Sequence, residues 1–450
     1  MLRLDFGKAI QEKERAFAHI PRTAPTLTEL LGQIIMKLSD FKHAIARFFG
    51  KCKREDTMPN IQDYVIWRGD LPLDRVPLCD VDALLLSYLS YMPYDNIVGD
   101  AFDGGISLRD AAQKLLEVNE REKTPLAYNV KDRKLLAALM ESARFGDIRL
   151  VGYINRVDTK LEEQFSAVTY LLGEGHAFVA FRGTDNTVVG WKEDFNMSFE
   201  TEVPAQRDAV AYAQRVAAAI DLPLIVGGHS KGGNLAAYAG MFVDEATRAR
   251  IQTVYNFDGP GFNEATISSE AFGKVDMRIR TFVPQSSLIG ILMWHREPFT
   301  IVRSNGVGVF QHDAYTWQIL GGGFMTLTER TGHSHFADDT IKRWLEELSP
   351  DMRRQAIDGI YAVLSASGGM NVSELFEARN TMNVLKAAGA MDEKTKSAVL
   401  EAFRLLGSSM IGVPAWLERT ASTMAQKMPW EQRREEAKAH AEQQPPELAK

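Results

Sequence analysis

Residues 224–240 read LIVGGHSKGGNLAAYAG. An aliphatic run enters a cluster of glycines, and a small-residue helical pattern leaves it. LPLIVGG reads as a buried strand and NLAAYAGMFV as the start of a helix. Between them, Gly228-His229-Ser230-Lys231-Gly232 matches G-x-S-x-G. Alone, that motif is common by chance. Between a strand and a helix it is the setting of a strained turn that lifts a serine Oγ above a sheet. The glycines have a steric reason, because Cβ atoms there meet the neighbouring strand and helix. The N-terminal N–H groups of the following helix favour negative charge developing beside the serine.

Outward from this turn, strand-like and helix-like segments alternate. FSAVTYLL (165–172) and HAFVAFRG (176–183) read as a hairpin around GEG, and PAQRDAVAYAQRVAAAI (204–220) as a helix. TVYNF (253–257), RIRTFVP (278–284) and FTIVRS (299–304) are further strands. Alternation of this kind predicts an α/β fold with a largely parallel sheet. Upstream, DYVIWRG (63–69) reads as extended, and DVDALLLSYLSYM (80–92), LRDAAQKLLEVNERE and KDRKLLAALMESARF (131–145) as helices. The expected organisation is a helical N-terminal extension and linker over 1–60 and a main domain over 61–345 with helices at 80–145 that can form a lid. A helical region over 346–430 and a polar, disordered tail over 431–450 follow.

The chain has 450 residues, 45% of them hydrophobic and 25% charged, with a formal charge of −7. That balance argues against non-specific nucleic-acid binding, which needs a basic face. Cys52 and Cys79 make neither a metal spacing nor a disulfide framework, which fits a reducing compartment. No apolar run approaches the roughly 20 residues that span a bilayer. The start, MLRLDFGKAIQEKER, has no apolar core of a secretion signal, so a cytoplasmic location is expected. The segment LTELLGQIIMKLSDFKHAIARFF (27–49) has apolar residues at helical spacing before a basic KCKRE. It fits a helix packed on its own domain, or peripheral contact with a membrane surface.

A serine nucleophile needs donors for the oxyanion. The backbone N–H of Lys231, just after Ser230, is one. Thr184, in the Phe181-Arg182-Gly183-Thr184 strand end, offers the second through its N–H and hydroxyl. FRGT, then Trp191 and Asp194, then GHSKGG together resemble the class 3 (fungal-type) lipase branch of the α/β-hydrolases. FRGTD…GWKEDFNM, GHSKGGN, FDGPGF and QHD…W are similar still more closely to a mostly bacterial hydrolase family. The resemblance spans about residues 60–320. It implies a serine-hydrolase fold, with Ser230 as nucleophile, Thr184 in the oxyanion hole and a small-molecule or lipid ester as substrate. No metal or organic cofactor is called for.

Hydrolases of this fold run serine, acid, histidine in chain order. His312, in VFQHDAYTW, follows the strand FTIVRS and suits that order; His333 and His335 are the alternatives, and His295 is early. His229 is expected to face away from the cleft. Class 3 lipases carry their acid after the second strand beyond the nucleophile. Here that strand ends in Val283-Pro284-Gln285-Ser286-Ser287, without a carboxylate. Asp258, one strand earlier in FDGPGF, is the candidate acid, against a turn aspartate satisfying backbone N–H groups. Asp313 is adjacent to His312 and badly placed, and a Ser–His dyad oriented by Ser287 or Gln285 is a further alternative. The Lys231 side chain has two readings: attraction of an anionic group, or pairing with Glu193 or Asp194.

Overall fold

The computed structural model describes residues 58–122, 131–158, 163–173, 175–184, 188–197, 200, 202–306, 308–332, 334, 347–365 and 390–399. All lie in one compact unit ending at Leu400. The segment 27–49, the tail 431–450, His333 and His335 lie outside the described residues.

The strands are β1 (Ile106–Ser107), β2 (Arg149–Asp158), β3 (Glu163–Leu171), β4 (Ala177–Phe181), β5 (Leu224–His229), β6 (Ile251–Phe257), β7 (Ile279–Pro284), β8 (Phe299–Val302), β9 (Ile319–Leu320), β10 (Gly323–Phe324) and β11 (Thr326–Leu327). One nine-stranded sheet runs β1-β2-β3-β4-β5-β6-β7-β8-β11, and β9 pairs with β10 separately. The run β4 to β8 is parallel, and the pairs at both flanks are antiparallel. The expected hairpin is the β3–β4 pair.

Helices cover both faces of the sheet, which makes the architecture α/β with a largely parallel central sheet. The longer ones are α1 (Ile61–Arg68), α2 (Asp80–Leu89), α3 (Leu108–Glu122), α4 (Asp132–Glu141), α5 (Val188–Asn196), α6 (Pro204–Ala219), α7 (Lys231–Phe242) and α8 (Pro350–Ser365). Side chains alternate across the strands. Phe178, Ala180, Ile225, Tyr255 and Phe257 pack with α2, α3 and α4 residues such as Leu84, Leu85, Leu115 and Leu136. Val179, Phe181, Leu224, Val226 and Val254 pack with Ala209, Tyr212, Leu235 and Ala236 of α6 and α7. The central strands are therefore buried on both sides, which is why they read as unbroken apolar runs.

The helices described within 80–145 supply one covering layer of the sheet, and α2 is buried from Val81 to Leu89. One expectation changes here. DYVIWRG is helical, not extended. Asn60 accepts from the N–H groups of Gln62 and Asp63, and the Asp63 carboxylate accepts from the Asn60 N–H, closing a capping box. Ile61, Tyr64 and Val65 then make a buried helical face.

Candidate active site

Because β4 to β8 are parallel, their C-terminal ends share one edge of the sheet, where ligands of open α/β sheets bind. Thr184 follows β4, Ser230 follows β5, Asp258 follows β6, Ser287 follows β7 and His312 follows β8. The sequence scatters these residues, and the topology gathers them.

Ser230 stands at φ 60°, ψ −136°, sparsely populated backbone for any residue with a side chain. The turn is held by its N–H donating to Phe257 O at 2.9 Å and its carbonyl accepting from Gly233 N at 2.8 Å. The flanking glycines are sterically obligatory. A Cβ on Gly228 would lie 2.2 Å from Gly232 C, and one on Gly232 would lie 2.1 Å from Phe181 O. Strand and helix thus approach at contact distance around the serine.

His312 Nδ1 lies 2.6 Å from Asp258 Oδ2. A carboxylate only accepts, so Nδ1 carries the proton and Nε2 of the neutral ring holds the lone pair. Asp258 is fully buried and accepts two further bonds on Oδ1, from Ser287 Oγ at 2.5 Å and Gly290 N at 3.1 Å. Its backbone sits in the left-handed region at φ 52°, which aspartate tolerates better than most residues. The His312 side chain remains 24% exposed, so its ring is reachable from solvent. Among the described residues no hydrogen bond joins Ser230 Oγ to His312. Such contacts commonly tighten only around bound substrate.

The other acid alternatives are used elsewhere. Ser287 donates to Asp258 rather than to a histidine. Gln285 bonds both backbone groups of Ser304, at 2.6 and 2.7 Å. Asp313 accepts from Tyr315 N at 3.0 Å and caps the next helical turn. His295 pairs with Glu297 at 3.0 Å.

His229 does not simply face away. Its ring packs 4.5 Å from the His312 ring, centroid to centroid, and its Nε2 lies 2.8 Å from His312 O. A carbonyl accepts, so Nε2 donates and Nδ1 is left to accept from Tyr91 OH at 3.1 Å. Burial first, and the neighbouring His312 second, hold its pKa well below 6.5, so the ring is neutral. His229 thereby ties the His312 loop to the residue before Ser230. Sequence reasoning missed this, and the G-H-S spacing alone gives no sign of it.

At the mouth of β4, Thr184 Oγ1 donates to both Asp194 oxygens, at 2.6 and 2.7 Å. Burial pushes the Asp194 carboxyl up to about 6, against the opposing pull of Lys231 and Thr184. The Lys231 side chain turns inward. Its Nζ donates to Glu193 Oε2 at 2.7 Å and Gln164 O at 2.9 Å, with 1% of the lysine side chain and none of the glutamate exposed. Of the two readings of Lys231, the pairing with Glu193 is the one seen. A charge so enclosed presents nothing to an anionic group in the cleft.

Among the described residues no cluster of histidine, cysteine and acidic side chains could hold a metal ion. No helix among them is long and apolar enough to cross a membrane. A cavity of about 430 Å³ lined by Ile97, Val98, Ile106, Lys114 and Leu150 sits at the β1–β2 edge, away from Ser230.

The family described as Mbeg1-like matches residues 139–362, just under half of the chain. That span contains β2 to β11 and every candidate residue named above. Among solved structures the chain is similar to M37 lipase, with 14% identity over 47% of this chain and 70% of that one and a TM-score of 0.31. It is similar to lipase II from Rhizopus niveus at 13% identity, covering 44% and 74%, with a TM-score of 0.30. For the lipase from Rhizopus microsporus var. chinensis the figures are 16%, 50% and 79%, with a TM-score of 0.30. No curated protein matches the chain.

Proposed function

We propose that this protein is a serine hydrolase that cleaves a carboxylic ester through an acyl-enzyme on Ser230. The observation that carries the reading is the His312–Asp258 hydrogen bond of 2.6 Å beside a serine in strained backbone. His312 Nε2 takes the Ser230 hydroxyl proton as Oγ attacks the ester carbonyl. Asp258 holds the ring in that tautomer and stabilises the imidazolium that forms. The backbone N–H groups of Thr184 and Lys231 accommodate the oxyanion; one such donor contributes about 2.7–4 kcal/mol to the transition state in enzymes of this kind. The tetrahedral adduct then expels the alcohol, which takes the proton from His312. A water, deprotonated by His312, releases the carboxylic acid and restores Ser230. The Thr184 hydroxyl is engaged by Asp194, so the Thr184 contribution is assigned to its N–H.

A fluorophosphonate probe tests the nucleophile. The folded parent should form one covalent adduct, mapped to Ser230 by peptide mass spectrometry, and Ser230→Ala should form none. A folded parent left unmodified would overturn the enzyme reading and favour a hydrolase-like binding scaffold.

A further inference from the structure

Lys231 poses a physical problem that ester cleavage does not answer. An ammonium 1% exposed, at the residue after the nucleophile, costs desolvation energy unless it is fully compensated. The compensation comes from Glu193, none of whose side chain is exposed. The three bonds it accepts all come from structural partners. Oε2 accepts from Lys231 Nζ at 2.7 Å and Gln164 N at 3.1 Å, and Oε1 accepts from Ala205 N at 3.0 Å. One carboxylate therefore joins α5, the first residue of α7, the start of β3 and the first turn of α6. The next residue, Asp194, holds the Thr184 hydroxyl. Two consecutive residues of α5 thus fix the side chains of Thr184 and Lys231. The helix itself is tied from outside, where Lys192 pairs with Asp358 of α8 at 3.0 Å and lies 4.5 Å above the Tyr361 ring.

Packing does not require this arrangement. A buried ion pair replaced by apolar residues of similar size is often neutral or stabilising, whereas loss of one partner is costly. What the pair supplies is direction: it fixes the rotation of the residue whose N–H faces the developing charge. We propose that Glu193 is a positioning residue, which sets the Lys231 N–H of the oxyanion hole through the Lys231 side chain and, with Asp194, keeps the two donors in register. This rests on the ester-hydrolase reading of Ser230.

The test compares the parent with Glu193→Gln and with the double variant Glu193→Leu/Lys231→Met. Two quantities are read: fluorophosphonate labelling of Ser230, resolved into maximal rate and half-saturating probe concentration, and amide hydrogen exchange at residues 181–184 and 229–234. In the double variant the maximal labelling rate should fall about 30-fold, short of the roughly 10²–10³-fold of a deleted oxyanion donor because the N–H is loosened and not lost. Half-saturation and melting temperature should stay near the parent's. Exchange should quicken at Thr184 and Lys231 but not in β5 and β6. Glu193→Gln, which keeps an acceptor but leaves the Lys231 ammonium without its counter-charge, should show the same labelling and exchange pattern at about 5-fold with a lowered melting temperature, and is read below that temperature. A folded double variant with the parent's labelling rate and exchange overturns the proposal. If the double variant does not fold, parent-like labelling and exchange in Glu193→Gln overturn it instead. A parent that takes no label defeats the hydrolase reading alone, and the exchange comparison still decides the role of Glu193.

Discussion

His312 with Asp258, and His295 with Glu297, are two imidazole–carboxylate pairs built from the same parts. Nδ1 meets the carboxylate at 2.6 Å in the first and 3.0 Å in the second. Each carboxylate also accepts a hydroxyl, from Ser287 at 2.5 Å and from Thr281 at 2.8 Å. The difference lies at the other ring nitrogen. His312 is 24% exposed, on a loop bonded to the residue before Ser230. The His295 side chain is 9% exposed, and its Nε2 is buried without a hydrogen-bond partner among the described residues. A histidine oriented by an acid is thus no sign of catalysis by itself. On the function proposed above, His312 differs because its second nitrogen is open to solvent on a loop tied to the residue before Ser230.

The largest expected effect separates the two histidines. His312→Gln should lower ester turnover by about 10⁶-fold with the fold intact, the scale of losing a triad base. His295→Gln should keep turnover within about 3-fold and lower the melting temperature. Steady-state kinetics and thermal unfolding on both variants check this, and equal losses of turnover would erase the distinction. A smaller effect separates the hydroxyls. Ser287→Ala should reduce kcat/KM about 10-fold, roughly 1.4 kcal/mol, by loosening Asp258. Thr281→Val should leave kcat/KM alone and cost about 1.5–3 kcal/mol of stability in urea unfolding, the range for a bond to a charged group. If the two substitutions moved the same quantity, the pairs would share a role.

The smallest effect concerns pH. Burial pushes the Glu297 carboxyl up, but the His295 bond and charge and the Thr281 hydroxyl outweigh it, so its pKa falls below 4.5. A carboxylate depressed on folding contributes stability that is fully present above its unfolded pKa and is lost as pH falls through the folded value. Between pH 6 and pH 3 the parent should therefore lose more stability than Glu297→Gln. Parallel melting curves across that range would remove the ion pair from the account.

The sequence discloses some of these features and hides others for physical reasons. β4 to β7 are legible because strands covered on both faces are continuous apolar runs. β2 is missed because its alternation breaks at a bulge between Val151 and Ile154, where Gly152 takes φ +65°, and because its outer half is exposed. DYVIWRG misleads because a short aromatic and β-branched run suits either structure. The decisive signal, the Asn60–Asp63 capping box, lies at its edge. Ser230 is visible because its requirement is local: glycines must flank a turn that tolerates no Cβ. The meeting of Asp258 with His312 spans 54 positions and depends on the adjacent ends of β6, β7 and β8, which no local pattern encodes. The same holds for His229, whose partners Tyr91 and His312 lie 138 and 83 positions away.

The enclosed pair of Lys231 and Glu193 also constrains how such a chain can vary. Replacing either residue alone by an apolar one strands a charge in the interior, a loss of about 3–5 kcal/mol that few domains tolerate. A route from this pair to an apolar one therefore crosses a poorly folding intermediate unless both positions change together. Descendants of a common ancestor should carry lysine after the serine and glutamate at the α5 position, or neither. Two sites 38 positions apart should thus be inherited as one character.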